Sequence, residues 1–152
     1  MDGVCQVDFY VLQDDSQSAE ILSCRLAMMA WEQGHRTVVI TENETESQRL
    51  DELMWSHPPG RFLPHARLAD KGSAPVLIGT MKQLAGSPAE VVINLTSRSI
   101  PEPKRFRRLL EPVPAVEEQR KASREKFIAY RKLGLNPASH EINSKTQNQE
   151  HG

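Results

Sequence analysis

The apolar and polar positions change period along the chain. Val7-Asp8-Phe9-Tyr10-Val11-Leu12 is rich in β-branched and aromatic residues and breaks off at Asp14-Asp15-Ser16, which predicts a strand followed by a loop. From Ser18 onward, Ile21, Leu22, Leu26, Met29 and Ala30 recur at helical spacing as far as Gly34, whose position suits a helix C-cap. Arg36-Thr37-Val38-Val39-Ile40-Thr41 predicts a second, buried strand, and helical periodicity returns over 44–55 through Leu50, Leu53 and Met54. Ser56-His57-Pro58-Pro59-Gly60 cannot continue a helix, and Phe62-Leu63-Pro64-His65 reads as irregular loop. Further strands are predicted at 75–79 and 90–95, linked through 81–88, and at 108–113, closed by Pro112 and Pro114. A C-terminal helix over 117–133 stops at Gly134 and Pro137.

Two strands separated by a helix are poorly placed for a hairpin, so this alternation predicts an α/β domain with a mostly parallel sheet and right-handed crossovers. The domain is expected over 1–138. Residues 139–152 are polar and without apolar periodicity, and are expected to form a disordered tail. The length of 152 residues and a hydrophobic fraction of 38% suit one core, and no internal repeat or linker divides the chain.

Nineteen basic residues nearly balance twenty acidic ones, so the molecule as a whole is no obvious nucleic-acid binder. The bases are concentrated late: Lys104, Arg105, Arg107 and Arg108 crowd together, and Arg120, Lys121, Arg124, Lys126, Arg131 and Lys132 follow. Apolar runs such as Val91-Val92-Ile93 fall far short of the roughly 20 residues that cross a bilayer, and Met1-Asp2 does not open a signal segment. A soluble, cytoplasmic protein is expected. Cys5 and Cys24 form neither a disulfide framework nor a metal knuckle and are read as reduced core residues.

An α/β sheet invites a nucleotide, but the first strand-to-helix turn, Leu12-Gln13-Asp14-Asp15-Ser16-Gln17-Ser18, has no glycine and sets two carboxylates where phosphate would lie. No Gly-rich loop ending in Lys-Ser/Thr occurs, and none of His35, His57, His65, His140 and His151 has a ligand partner at metal-binding spacing. No cofactor and no metal are expected. Asp14 and Asp15 can be drawn as an acid-base pair, yet a loop beside a helix N-terminus accommodates such acids without catalysis.

The C-terminal helix carries more information. At 100° per residue, Val116, Arg120, Arg124, Phe127 and Arg131 share a stripe edged by Lys121, Ile128 and Lys132, whereas Ala122, Ala129 and Leu133 point the opposite way. The small-residue face is expected to lie on the sheet. The stripe is either a solvated helix surface or a binding face. Arginines beside an apolar recess suit an acidic peptide with an apolar end, and suit single-stranded nucleic acid equally. A second cluster, Trp55, Pro58, Pro59, Phe62, Leu63 and Pro64, either folds into the core or presents an apolar patch for a permanent partner.

These segments resemble a known family. Val7-Asp8-Phe9-Tyr10-Val11-Leu12, Cys24-Arg25-Leu26-Ala27, Trp31-Glu32-Gln33-Gly34-His35-Arg36, Leu50-Asp51-Glu52-Leu53-Met54-Trp55, Phe62-Leu63-Pro64-His65 and Ala129-Tyr130-Arg131 with Gly134 together look like the chi subunit of DNA polymerase III holoenzyme, in order over roughly 4–136. The resemblance implies a Rossmann-like fold without a nucleotide site, and a non-catalytic adaptor of the clamp-loader complex. It implies two partners, with DNA met only indirectly. The psi subunit would meet the aromatic positions matching Trp55 and Phe62. The acidic C-terminal tail of single-stranded-DNA-binding protein, ending in Pro-Phe, would meet positions matching Arg124, Phe127, Tyr130 and Arg131. Ile128 stands where family pockets can carry a further Lys, which weakens the electrostatic part of that contact. The alternative carried beside the adaptor is a direct single-stranded nucleic-acid-binding module using the same basic helix.

Overall fold

The computed structural model describes residues 5–143. Seven strands and four helices follow in the order β1 Gln6–Leu12, α1 Ala19–Glu32, β2 Thr37–Thr41, α2 Glu44–Met54, β3 His65–Arg67, β4 Val76–Thr80, α3 Met81–Leu84, β5 Val91–Asn94, β6 Arg108–Val113, α4 Glu117–Lys132 and β7 Ala138–Ile142. Single 3-10 turns at Leu68–Asp70 and Pro103–Arg105 complete the path. One sheet takes all seven strands in the order β3-β4-β2-β5-β6-β1-β7, and every pair in it is parallel. The α/β class and parallel sheet predicted from the alternation are therefore found.

Parallel strands are covered on both faces, and the two-residue period of each strand feeds two separate cores. Val39 and Ile93 pack with Leu22, Leu26, Leu50 and Met54 of α1 and α2. Val38, Ile40 and Val92 point the other way and pack with Leu84, Leu109, Phe106 and Tyr130. Ser18 caps α1, its side chain accepting from the Ile21 backbone N–H at 3.1 Å, and Asn43 caps α2 by accepting from Glu46 N–H at 2.9 Å. At the end of α4, Gly134 takes φ +89°, a left-handed conformation that lets the Leu135 N–H reach back to the Tyr130 carbonyl and turns the chain toward β7. Burial pushes the Cys5 thiol up to about 11 and the Cys24 thiol up to about 12, so both behave as core groups.

Three elements differ from the sequence reading. Residues 65–67, read as loop, form the short edge strand β3, and the 81–88 link contains α3. Residues 139–142, assigned to a disordered tail, instead complete β7, while 144–152 lie outside the described residues. β7 is held by polar contacts that hydrophobic periodicity does not register. His140 Nε2 lies 2.9 Å from Asp8 Oδ1, its ring stacks on Tyr10 at 5.2 Å between centroids, and Ile142 is buried with Leu12.

Asp8 also accepts from Arg108 at 2.7 Å, although its side chain is almost fully enclosed. Burial alone would push this carboxyl up, but the hydrogen bond from His140 and the Arg108 guanidinium together hold it below its ordinary 3.8. A depressed carboxyl binds its proton more weakly folded than unfolded. Its contribution is thus complete above the ordinary value and is lost as pH falls through the depressed one. Asp8→Asn is expected to cost about 1.5–3 kcal/mol in urea unfolding at pH 7. The gap between the two proteins narrows as the pH is taken below about 4; a gap constant with pH would contradict this account.

Candidate functional site

α4 meets the sheet through a buried carboxylate. Glu111, in β6, is fully enclosed; its Oε1 accepts from Lys126 Nζ at 2.6 Å, and its Oε2 accepts from Tyr130 OH at 2.7 Å and Asn94 Nδ2 at 2.8 Å. Lys126 Nζ also donates to the Thr96 carbonyl at 2.9 Å, and Tyr130 OH accepts from the Ile100 N–H at 2.8 Å. Burial pushes Glu111 up and the Lys126 ammonium pulls it back. Burial and the Glu111 charge drive the Tyr130 phenol far above its ordinary range, fixing it as a donor.

This network corrects the expected orientation of α4. Its buried residues are Ser123, Lys126 and Tyr130, not Ala122, Ala129 and Leu133, and Leu133 is 49% exposed. Lys126, counted above only among the late basic residues, is buried and holds the helix to the sheet through Glu111. Tyr130, matched above to the tail-binding positions, is 0% exposed and points into the sheet.

With Lys126 and Tyr130 turned inward, Arg120, Arg124, Phe127 and Ile128 edge an open groove of about 540 Å³, whose floor is Phe9, Val11 and Val113 and whose far wall is Ser139 and Glu141 of β7. The surface is mainly apolar. Phe127 leans on Phe9 with centroids 5.2 Å apart, while Ile128 is 54% exposed. Arg120 donates to the Leu12 carbonyl at 3.0 Å, and its buried Nε has no acceptor among the described residues. Arg124 pairs with Glu117 at 3.0 Å, but both side chains are largely exposed, so the pair is weak and exchangeable. Of the tail-binding residues inferred from the resemblance, the structure thus brings together Arg124, Phe127 and Ile128. Arg131 is exposed on the same stripe, about one turn or roughly 6 Å beyond Phe127, and does not line the groove. Arg120, Ser139 and Glu141 were not assigned to the site from sequence; only Arg120 carried a signal, as a member of the stripe.

Trp55 and Phe62 sit at the opposite edge of the sheet. They are 61% and 64% exposed, with ring centroids 6.0 Å apart, and Trp55 packs on His65 of β3 at 4.6 Å. His65 is clamped in turn, Nδ1 lying 2.6 Å from the Leu63 carbonyl and Nε2 3.0 Å from that of Asp51. The pair is an exposed aromatic patch, while Leu63, next to Phe62, is the residue that enters the core.

The crevice at the C-terminal ends of the strands, where α/β proteins commonly bind nucleotides, has a volume of about 380 Å³ and is lined by Asp15, Glu20, Glu42 and Glu46. Those carboxylates oppose phosphate, and Asp14 is engaged in its own turn, accepting from Ser16. Among the described residues no group of three His, Cys, Asp or Glu stands together as a metal site, and no helix is long and apolar enough to cross a membrane.

The geometry defines an α/β domain with an apolar, arginine-edged groove at one side of its sheet and an exposed aromatic patch at the other. Residues 5–138 match the model of the family described as DNA polymerase III chi subunit, HolC, and the chain belongs to that family. It is similar to the DNA polymerase III subunit chi of Pseudomonas aeruginosa, 33% identical over 141 residues that cover 90% of this chain and 96% of that protein. The subunit chi of Escherichia coli strain K12 is 30% identical over 135 residues, covering 84% and 92%. That of Haemophilus influenzae is 25% identical over 138 residues, covering 88% and 95%.

Lys126→Met tests the docking of α4. It leaves Glu111 buried without its cation and is expected to cost about 3–5 kcal/mol in urea unfolding. Tyr130→Phe, which removes the hydrogen bond to Glu111 and leaves the Ile100 N–H without its acceptor, is expected to cost about 2–4 kcal/mol.

Proposed function

We propose that the protein is a non-catalytic adaptor of the bacterial replicative polymerase, DNA polymerase III. One surface holds the acidic C-terminal tail of single-stranded-DNA-binding protein, and the other holds a psi subunit that joins it to the clamp loader. Family membership supports the polymerase context. The observation that carries the tail-binding half is the groove, which sets Arg120 and Arg124 beside the Phe127 and Phe9 rings. Guanidinium groups bind carboxylates through directional, charge-assisted hydrogen bonds, and the aromatic floor accepts a terminal Phe side chain. Arg131, further along the stripe, reaches the more distant acids of the tail, and DNA is met only through the protein that coats it. Tyr130 acts from beneath, through the network that orients α4.

The Trp55 and Phe62 patch supports the second half. Large exposed aromatic rings supported from below are the anchors that stable protein interfaces use. Tethering through two surfaces raises the effective concentration of the polymerase at coated DNA without any new catalytic group.

Fluorescence anisotropy with a labelled acidic peptide ending in Pro-Phe tests the groove, with labelled oligo-dT as the competing ligand. The peptide is expected to bind, to weaken with added salt, and to lose about tenfold or more with Arg124→Ala or Phe127→Ala. Binding of oligo-dT in place of the peptide would make the protein a direct DNA-binding module and overturn the adaptor reading. For the other surface, Trp55→Ala is expected to change folding stability by less than about 0.5 kcal/mol while abolishing capture of a psi subunit on co-purification. Undiminished capture would move psi elsewhere.

A further inference from the structure

The two walls of the groove differ in charge. α4 supplies Arg120 and Arg124, and β7 supplies Ser139 and Glu141. The direction of Glu141 follows from the period of the strand. Phe9 is paired with Ser139 and Val11 with Glu141, so these four share the groove face, whereas His140 and Ile142 turn to the other side, toward Asp8, Tyr10 and Leu12. A one-residue slip would exchange the two sets, and the His140 to Asp8 contact with the burial of Ile142 prevents it. Among the described residues, Glu141 therefore stands opposite two arginines on a wall that presents no cation, since the one imidazole of β7 faces away. Family matching ends at residue 138, just before this wall begins.

We propose that Glu141 is a specificity-determining residue of the groove, restricting it to peptides that carry carboxylates only along the edge facing α4. This rests on the groove being a peptide site, as proposed above. In an extended peptide successive side chains point to opposite sides. Carboxylates at every second position meet Arg120 and Arg124, and those at the intervening positions meet Glu141 and are repelled. Neutral side chains at the intervening positions are accepted, with Ser139 available as a hydrogen-bonding partner.

The test uses two labelled peptides of equal length and net charge, both ending in Pro-Phe, with aspartates at alternate positions in one register or shifted by one. Wild type is expected to separate them by about twofold to fivefold at low salt. Glu141→Gln closes the gap by strengthening the weaker peptide, and Glu141→Lys carries that peptide beyond the other. Both variants change an exposed side chain, and circular dichroism verifies that they fold. Equal binding of the two registers by wild type, or a gap that survives Glu141→Gln, overturns the role of Glu141 while leaving the groove as a peptide site. Failure of wild type to bind either peptide removes the peptide site itself, and the proposal with it.

Discussion

The position of α4 depends on one enclosed carboxylate, and the groove depends on the position of α4. Glu111 gathers Lys126, Tyr130 and Asn94 within 2.8 Å and has no exposure to water. A buried ion pair of this kind adds little net stability over an apolar substitute, since desolvation offsets most of the attraction, but its directionality selects one rotation of the helix. The apolar content of α4 could not do so alone. Only Ser123, Lys126 and Tyr130 are buried along its 16 residues, and rolling the helix by one position would withdraw both polar partners from Glu111.

That selection has a consequence on the outer side. With Lys126 and Tyr130 committed to the interior, Phe127 rests against Phe9 at the margin and Ile128 is left in solvent. The cations then divide by role. Arg120 and Arg124 border the groove, while Arg131 and Lys132 occupy the last turn, where positive charge also offsets the helix dipole, as Glu117 and Glu118 do at the first. The basic character of the helix is thus part groove edge and part helix end, where it offsets the dipole.

The order of strands and helices was legible because apolar period is a record of which face is buried, and β1, α1, β2, α2, β4, β5 and β6 carry it, while α4 was legible from its stop at Gly134 and Pro137. β3 and β7 escaped because each is a short edge strand paired on one side only. Four of the five residues of β7, Ala138, Ser139, His140 and Glu141, are exposed, so only Ile142 leaves an apolar trace. The candidate site was legible in half. Arg124, Phe127 and Ile128, named from stripe and resemblance, do lie along one groove, and Trp55 and Phe62, clustered in sequence, do lie together in one exposed patch. The buried face of α4 was centred on Ala122, Ala129 and Leu133, less than one residue's rotation from the observed Ser123, Lys126 and Tyr130, because a helical wheel gives no reason to bury Lys126. Only a long-range partner, Glu111, makes its burial favourable, and that partner lies 15 residues away on another element. The far wall of the groove was invisible for the same reason that β7 was.

The sheet also sets a distance. The aromatic patch sits on β3 and the groove is walled by β7, the two outermost strands of seven. Six interstrand spacings of about 4.8 Å put those edges roughly 29 Å apart, and α2 and α4 cover opposite faces of the layer between them. Patch and groove share no side chain, so substitutions at the two are expected to add in their effects on stability. The width of the sheet thus acts as a spacer: a body of ordinary side-chain dimensions seated at one edge would not collide with one seated at the other.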